Sequence, residues 1–162
     1  MKSKPVWWRG ARGEWYVVVQ TGLFAVVLFG PRTIAGLPWP IASAMVSMSV
    51  GGVLVGLGLG VSIVAALQLG INLTPLPHPR DNSCLVVGGL YRLVRHPIYF
   101  GIILMAVGWA LFVQGWLTLA YAVVLVLFFD IKSRREEVWL MQHFSEYAEY
   151  RRHAKKLIPF IY

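Results

Sequence analysis

The chain has 162 residues, of which 57% are hydrophobic and only 14% charged; with a mean hydropathy of +0.63 it is too apolar for an ordinary soluble domain, and lipid is the expected solvent. A chain this short, spent mostly on membrane spans, leaves room for brief loops and one extramembrane tail, which excludes a separate soluble catalytic domain. The net charge of +8 does not point to nucleic acid, because the basic residues flank apolar segments instead of interleaving with aromatics along a polar face; anionic membrane lipids are the expected partner.

Four apolar stretches, at about 14–30, 41–69, 98–113 and 116–130, predict a single all-α domain over residues 1–162: a multi-pass transmembrane bundle whose last two spans form a helical hairpin. The first stretch follows Lys2, Lys4, Arg9 and Arg12 and ends in Phe29-Gly30-Pro31-Arg32. It lacks the small-residue pattern of a signal cleavage site and reads as an anchored span retained in the mature protein.

The second stretch carries Gly56-Leu57-Gly58-Leu59-Gly60. A dinucleotide loop would need a preceding strand, a helix start and an acidic residue about 20 positions later, and has none of them. Gly52, Gly56 and Gly60 recur at every fourth position, which predicts a flat stripe packed closely against a neighbouring helix.

A cytoplasmic loop over 70–97 follows. Pro75, Pro77 and Pro79 enforce an extended strap. Pro97 suits the first turn of the third span, so the unpaired N–H groups near His96 are suited to an anion. An interfacial anchor, with Arg95 at headgroups and Tyr99 in the aromatic belt, is an equally open reading. The third and fourth stretches are short for membrane spans and meet at Gln114-Gly115, which sets the hairpin turn.

The tail, 131–162, has no helix breaker before Pro159 and predicts a C-terminal cytoplasmic helix with Glu136, Leu140, His143 and Tyr147 on one face. It reads either as a surface helix on anionic lipid or as part of a site. Arg134 and Arg135 are the expected partners of Glu136 and Glu137. With both termini cytoplasmic, 14 of the 15 Lys and Arg residues fall on one side, as the positive-inside rule requires. Cys84 is the lone cysteine, so neither an intrachain disulfide nor a multi-cysteine metal site is expected.

Two segments then combine. Gly89-Leu90-Tyr91 with Arg95-His96-Pro97-Ile98-Tyr99-Phe100-Gly101 precedes the hairpin; Glu136-Glu137-Val138-Trp139-Leu140, Phe144, Tyr147 and Tyr150 follow it, and the chain closes on Ile158-Pro159-Phe160-Ile161. This combination resembles the isoprenylcysteine carboxyl methyltransferase and phospholipid methyltransferase family, in particular its short prokaryotic members. The resemblance implies an S-adenosylmethionine-dependent methyltransferase with a cytoplasm-facing donor pocket and a second opening to the bilayer for a lipophilic substrate. It implies donor contacts from Ser83, Cys84, Leu85, Val86, Tyr91, His96, Pro97, Ile98 and Tyr99. Arg135 and Glu136 are implied at the reacting group, with Lys132 beside them where the carboxyl methyltransferases carry a substrate-binding Arg.

Methyl transfer needs alignment and exclusion of water and requires no metal. The alternatives weighed against it are transfer to a phospholipid or amine nitrogen, an NADPH-dependent membrane reductase of the sterol type, and a non-catalytic lipid-binding module. The oligomeric state and the methyl acceptor are not encoded in any recognisable feature.

Overall fold

The computed structural model describes residues 12–41, 43–79 and 82–162; Lys2, Lys4, Arg9 and Arg80 lie outside the described residues. Among those described, five α-helices form: α1 Glu14–Phe29, α2 Ala44–Leu69, α3 Pro97–Phe112, α4 Trp116–His143 and α5 Tyr147–His153. Short 3₁₀ turns at Gly70–Asn72 and Gly89–Arg92 punctuate the long loop. An isolated bridge, Val94 to Lys155, is the only β pairing among the described residues.

Among the described residues, two helices are long and apolar enough to cross a membrane, Ala44–Asn72 with its terminal turn and Trp116–His143. At 16 residues each, α1 and α3 reach about 24 Å, short of the ~30 Å hydrocarbon core. The most apolar window of α2 is only 17% buried, whereas the core helix of a soluble protein hides most of its surface. Val53, Leu57 and Leu67 of α2 and Phe29 of α1 point outward. Ser47, Lys132, Ser133 and Glu137 are buried instead, and such an inverted distribution is stable only where apolar surface meets lipid.

The hairpin forms where Gln114-Gly115 predicted it. Gln114 adopts φ 53, the Gln114 N–H donates to Leu111 O and the Gly115 N–H to Ala110 O, a left-handed cap that satisfies the last carbonyls of α3. The Leu117 N–H then donates to Arg32 O, tying α4 to the chain leaving α1.

Two expectations are corrected. The tail does not start a separate helix at 131: no Gly or Pro interrupts Trp116–His143, so the fourth span and the first half of the tail are one 28-residue helix. That helix ends at Phe144, in extended conformation, and α5 restarts at Tyr147. No helix breaker marks the site; the break lets Tyr147, 1% exposed, turn inward. His143 consequently stays at the surface, off the face assigned to Glu136, Leu140 and Tyr147.

The second correction concerns the glycine stripe. A Cβ on Gly52, Gly56 or Gly60 would meet nothing within 4 Å, so that stripe faces outward. The close approach belongs to Gly51 and Gly58, seven residues apart, which oppose Gly108 and Gly101 of α3: a Cβ at Gly58 would lie 2.4 Å from Gly101 O, and one at Gly51 2.5 Å from Gly108 O. The four-residue spacing was visible in the sequence, but which face meets α3 is set by the register of the pair.

Gly58→Ala is therefore expected to cost about 1–3 kcal/mol by forcing α2 and α3 apart, while Gly56→Ala is neutral or mildly stabilising. Thermal unfolding of the two variants in one detergent reads the difference. Equal melting temperatures would refute the assigned face.

Candidate functional site

The strap is fastened before it reaches α3. Gly89 holds φ 60 directly against the Gln68 side chain, where any Cβ would collide, and the Leu90 N–H donates to Gln68 Oε1 at 2.9 Å. The Cys84 N–H donates to Asn72 Oδ1 at 3.0 Å. The Tyr91 hydroxyl donates to Ala65 O at 3.4 Å, and the Tyr150 hydroxyl donates to Tyr91 O at 2.6 Å, so α2 and α5 fix the loop from either side. The chain after α5 completes the frame: the Arg95 N–H donates to Lys155 O and the His96 N–H to Lys156 O.

These anchors enclose a cavity of about 350 Å³, within the range of small-molecule sites. All nine loop residues singled out for the donor line it: Ser83, Cys84, Leu85, Val86, Tyr91, His96, Pro97, Ile98 and Tyr99. Lys132 and Glu136 reach it from α4, some 35 to 50 positions away in sequence. Arg135 does not line it; its guanidinium is exposed and lies 4.6 Å from the Trp139 ring centroid. On a helix, successive residues point about 100° apart, and the turn that aims Glu136 inward carries Arg135 outward.

Among the described residues, Glu136 is the only carboxylate in the lining. The Tyr99 hydroxyl donates to its Oε2 at 2.7 Å, and His96 Nδ1 lies 3.8 Å from the same oxygen. Tyr99 is stacked between His96, 5.3 Å between centroids, and Phe129, 4.5 Å, so its hydroxyl has little freedom. Lys132, 2% exposed, donates to Gln20 Oε1 at 2.5 Å and Pro75 O at 3.1 Å, and its ammonium stands 5.2 Å from the Tyr99 ring centroid. A buried ammonium held by neutral acceptors and a ring face leaves its charge available to the cavity.

Behind Glu136 sits Glu137, facing away from the cavity. Its Oε1 accepts from Arg95 Nε at 2.8 Å and from His96 Nε2 at 3.2 Å; because a carboxylate only accepts, that nitrogen carries the proton. Arg151 Nε lies 3.5 Å from Oε2. Arg95 also donates to Arg151 O at 3.0 Å and Ala154 O at 2.6 Å. The expected partners Arg134 and Arg135 take neither role: Arg134 pairs with Asp130 one turn back, at 2.8 Å. Neighbours in sequence do not face one another on a helix, and residues four apart do.

Three further lining tyrosines, Tyr91, Tyr147 and Tyr150, have phenols pushed well above their ordinary titration range, chiefly by burial. They are neutral donors at any physiological pH. The Tyr147 hydroxyl is buried with no hydrogen-bond partner among the described residues. The α3 N-terminus at His96-Pro97 likewise carries no side-chain cap, which leaves first-turn N–H groups open. Sequence reasoning passed over Gln20, although an amide inside an apolar stretch is itself a signal; it also quoted Tyr147 and Tyr150 without assigning them to the pocket.

Residues 46–147 match the phospholipid methyltransferase family. A probable protein-S-isoprenylcysteine O-methyltransferase from Oryza sativa subsp. indica is 36% identical over 116 residues, 69% of this chain and 61% of that protein. The cobalt-zinc-cadmium resistance protein CzcN of Cupriavidus metallidurans is 32% identical over 148 residues, 91% of this chain and 62% of that one. The chain thus spans about three-fifths of the length of these relatives. The structure of a eukaryotic intramembrane Ras methyltransferase, isoprenylcysteine carboxyl methyltransferase, superimposes with a TM-score of 0.67 at 24% identity, covering 99% of this chain and 55% of that chain, a likeness of fold. Because the family match covers more than half of its residues, the chain belongs to the phospholipid methyltransferase family.

Proposed function

We propose that the protein is an integral membrane methyltransferase that takes its methyl group from S-adenosylmethionine and delivers it to a lipophilic acceptor entering from the bilayer; the relatives named protein-S-isoprenylcysteine O-methyltransferase support the reaction class. One observation carries the reading: a single cavity gathers the aromatic strap and an isolated carboxylate from α4. The donor set fits an amphoteric cation. Tyrosine faces and one carboxylate suit a sulfonium, while the unpartnered Tyr147 hydroxyl and the open first turn of α3 suit a carboxylate.

S-adenosylmethionine supplies an electrophilic methyl: the acceptor's lone pair forms the new bond to carbon as the carbon–sulfur bond breaks and its electrons return to sulfur. The chain's own part is positioning and drying. Tyr91 supplies the aromatic wall for the sulfonium, while Tyr99, its ring stacked between His96 and Phe129, contributes through its hydroxyl. Glu136, fixed by the Tyr99 hydroxyl, supplies the balancing negative charge. His96 is held by Glu137, so it orients the wall of the site and leaves carboxylate recognition to Tyr147 and the α3 turn. Lys132 faces the acceptor side. Pro75 and Pro77 roof the cavity against water.

We also read α1 to α4 as four crossings with both termini cytoplasmic, in the plasma membrane if the source is prokaryotic; the basic flanks support this. A reporter fused to the C-terminus that registers an external location would overturn it.

Calorimetry on detergent-purified protein is expected to give saturable binding of S-adenosylmethionine and none of NADPH. Tyr147→Phe should weaken donor binding about two- to tenfold with an unchanged melting temperature, because no internal hydrogen bond is lost. NADPH binding in place of the donor would remove the methyltransferase reading in favour of a reductase. Unchanged donor affinity in Tyr147→Phe would exclude Tyr147 from the site.

A further inference from the structure

On the far side of Glu137 lies a second concavity, of about 360 Å³, lined by Arg95, Arg134, Arg151, Arg152, Lys155 and Lys156 with Glu137 as its only carboxylate. Some of this charge is internally balanced. Arg134 and Lys156 bind Asp130, Arg152 pairs with Glu149, and Arg95 and Arg151 share Glu137. Six cations against three carboxylates leave a surplus of three, and the Lys155 ammonium makes no hydrogen bond or ion pair among the described residues.

We propose that this cleft binds the phosphate of an anionic membrane lipid headgroup, at a site separate from the donor cavity. The cation surplus on converging side chains calls for a multiply charged or strongly accepting anion. Depth and surroundings favour a lipid as its source over free phosphate. The last outward apolar residue of α4 before the cleft is Ile131 and the first cleft residue on α4 is Arg134, about 4.5 Å further along the axis, which sets the cleft within the headgroup layer, ~5–8 Å per leaflet. The rim of the cleft is apolar and open: Phe160 and Ile161 are 80% and 76% exposed, and Ile161 and Tyr162 enter the lining itself. A phosphate site meant for a water-soluble anion has no use for such a rim, whereas acyl chains beside a headgroup cover it.

Arg152 and Lys155 provide the test, since neither lines the donor cavity and neither side chain is buried. The purified protein is titrated in detergent with phosphatidylglycerol or phosphatidylcholine, and retained lipid is counted by native mass spectrometry. Phosphatidylglycerol is expected to be retained at least tenfold more strongly than phosphatidylcholine. The double variant Arg152→Gln/Lys155→Gln should cut this retention about tenfold or more, at roughly fivefold per charge, with an unchanged melting temperature and unchanged S-adenosylmethionine affinity. Equal retention of the two lipids, or full retention by the double variant, overturns the proposal. A third arm adds inorganic phosphate at about 10 mM, where the Debye length is still on the order of 30 Å and simple screening is weak. Phosphatidylglycerol that stays bound supports a lipid site, and complete displacement by phosphate assigns the cleft to a soluble anion instead.

Discussion

Glu137→Ala is expected to lower stability by about 3–5 kcal/mol, because it leaves the buried Arg95 guanidinium without its counter-charge. In a chain of this size that corresponds to a fall in melting temperature of roughly 10 °C or more. Glu137 is 3% exposed and joins four parts of the molecule. Its oxygens engage Arg95 and His96 at the end of the strap and Arg151 of α5, and Arg95 passes the tie to Ala154 O. Alanine removes all three of the Glu137 contacts at once. Glu137→Gln, which keeps one acceptor and loses the charge, should cost about half as much. Replacing both partners, as in Glu137→Leu with Arg95→Met, should recover part of the loss, since removing a buried pair is gentler than orphaning one member. Thermal unfolding in a single detergent decides the matter: a Glu137→Ala protein melting within 2 °C of the parent would show that the pair contributes little to the fold.

Lys132→Met and Glu136→Gln should separate the classes of methyl acceptor. A carboxylate acceptor is already a nucleophile at neutral pH and needs a cation to hold it, whereas an amine is largely protonated and must lose a proton before it can attack. Among the described residues, Lys132 has no carboxylate bound to its ammonium, and Arg95, the other permanent cation of the described lining, is neutralised by Glu137. The free positive charge near the acceptor therefore belongs to Lys132. For a carboxylate acceptor, Lys132→Met is expected to raise KM about 10- to 100-fold with a smaller change in kcat. The rate at saturating substrate should then vary little above neutral pH.

For an amine acceptor the order reverses. Glu136→Gln would cut kcat by about a hundredfold or more, and the parent rate would climb steeply from pH 6.5 to 9 as the amine deprotonates. Lys132→Met would be silent or would improve KM by removing repulsion. The geometry favours the anionic acceptor, because among the described residues Lys132 is the cation of the cavity lining that no carboxylate binds directly. Donor affinity measured in parallel distinguishes a damaged acceptor side from a damaged donor pocket.

The amino-acid sequence by itself determined the membrane setting, the helical class, the hairpin turn and the two segments that meet in the cavity. Each rests on a local property: apolar length, the turn chemistry of Gln114-Gly115, and motif residues at fixed spacing. The nine loop residues and Glu136 were implied by the family resemblance and not by local pattern, and all ten line one cavity.

What only the tertiary structure decided is direction. Gly52, Gly56 and Gly60 have the spacing of a packing face, yet Gly51 and Gly58 meet α3, because periodicity marks a stripe and leaves open which stripe the neighbour covers. Arg135 and Glu136 are adjacent in sequence and point to different surroundings. Glu137, one position further on, carries the tie between strap and tail through partners 42 positions away. The inward turn at Tyr147 has no breaker residue to announce it; it exists because α5 and the strap offer that ring a place to be buried. Helix rotation and long-range pairing are settled by packing between elements, and no local pattern encodes them.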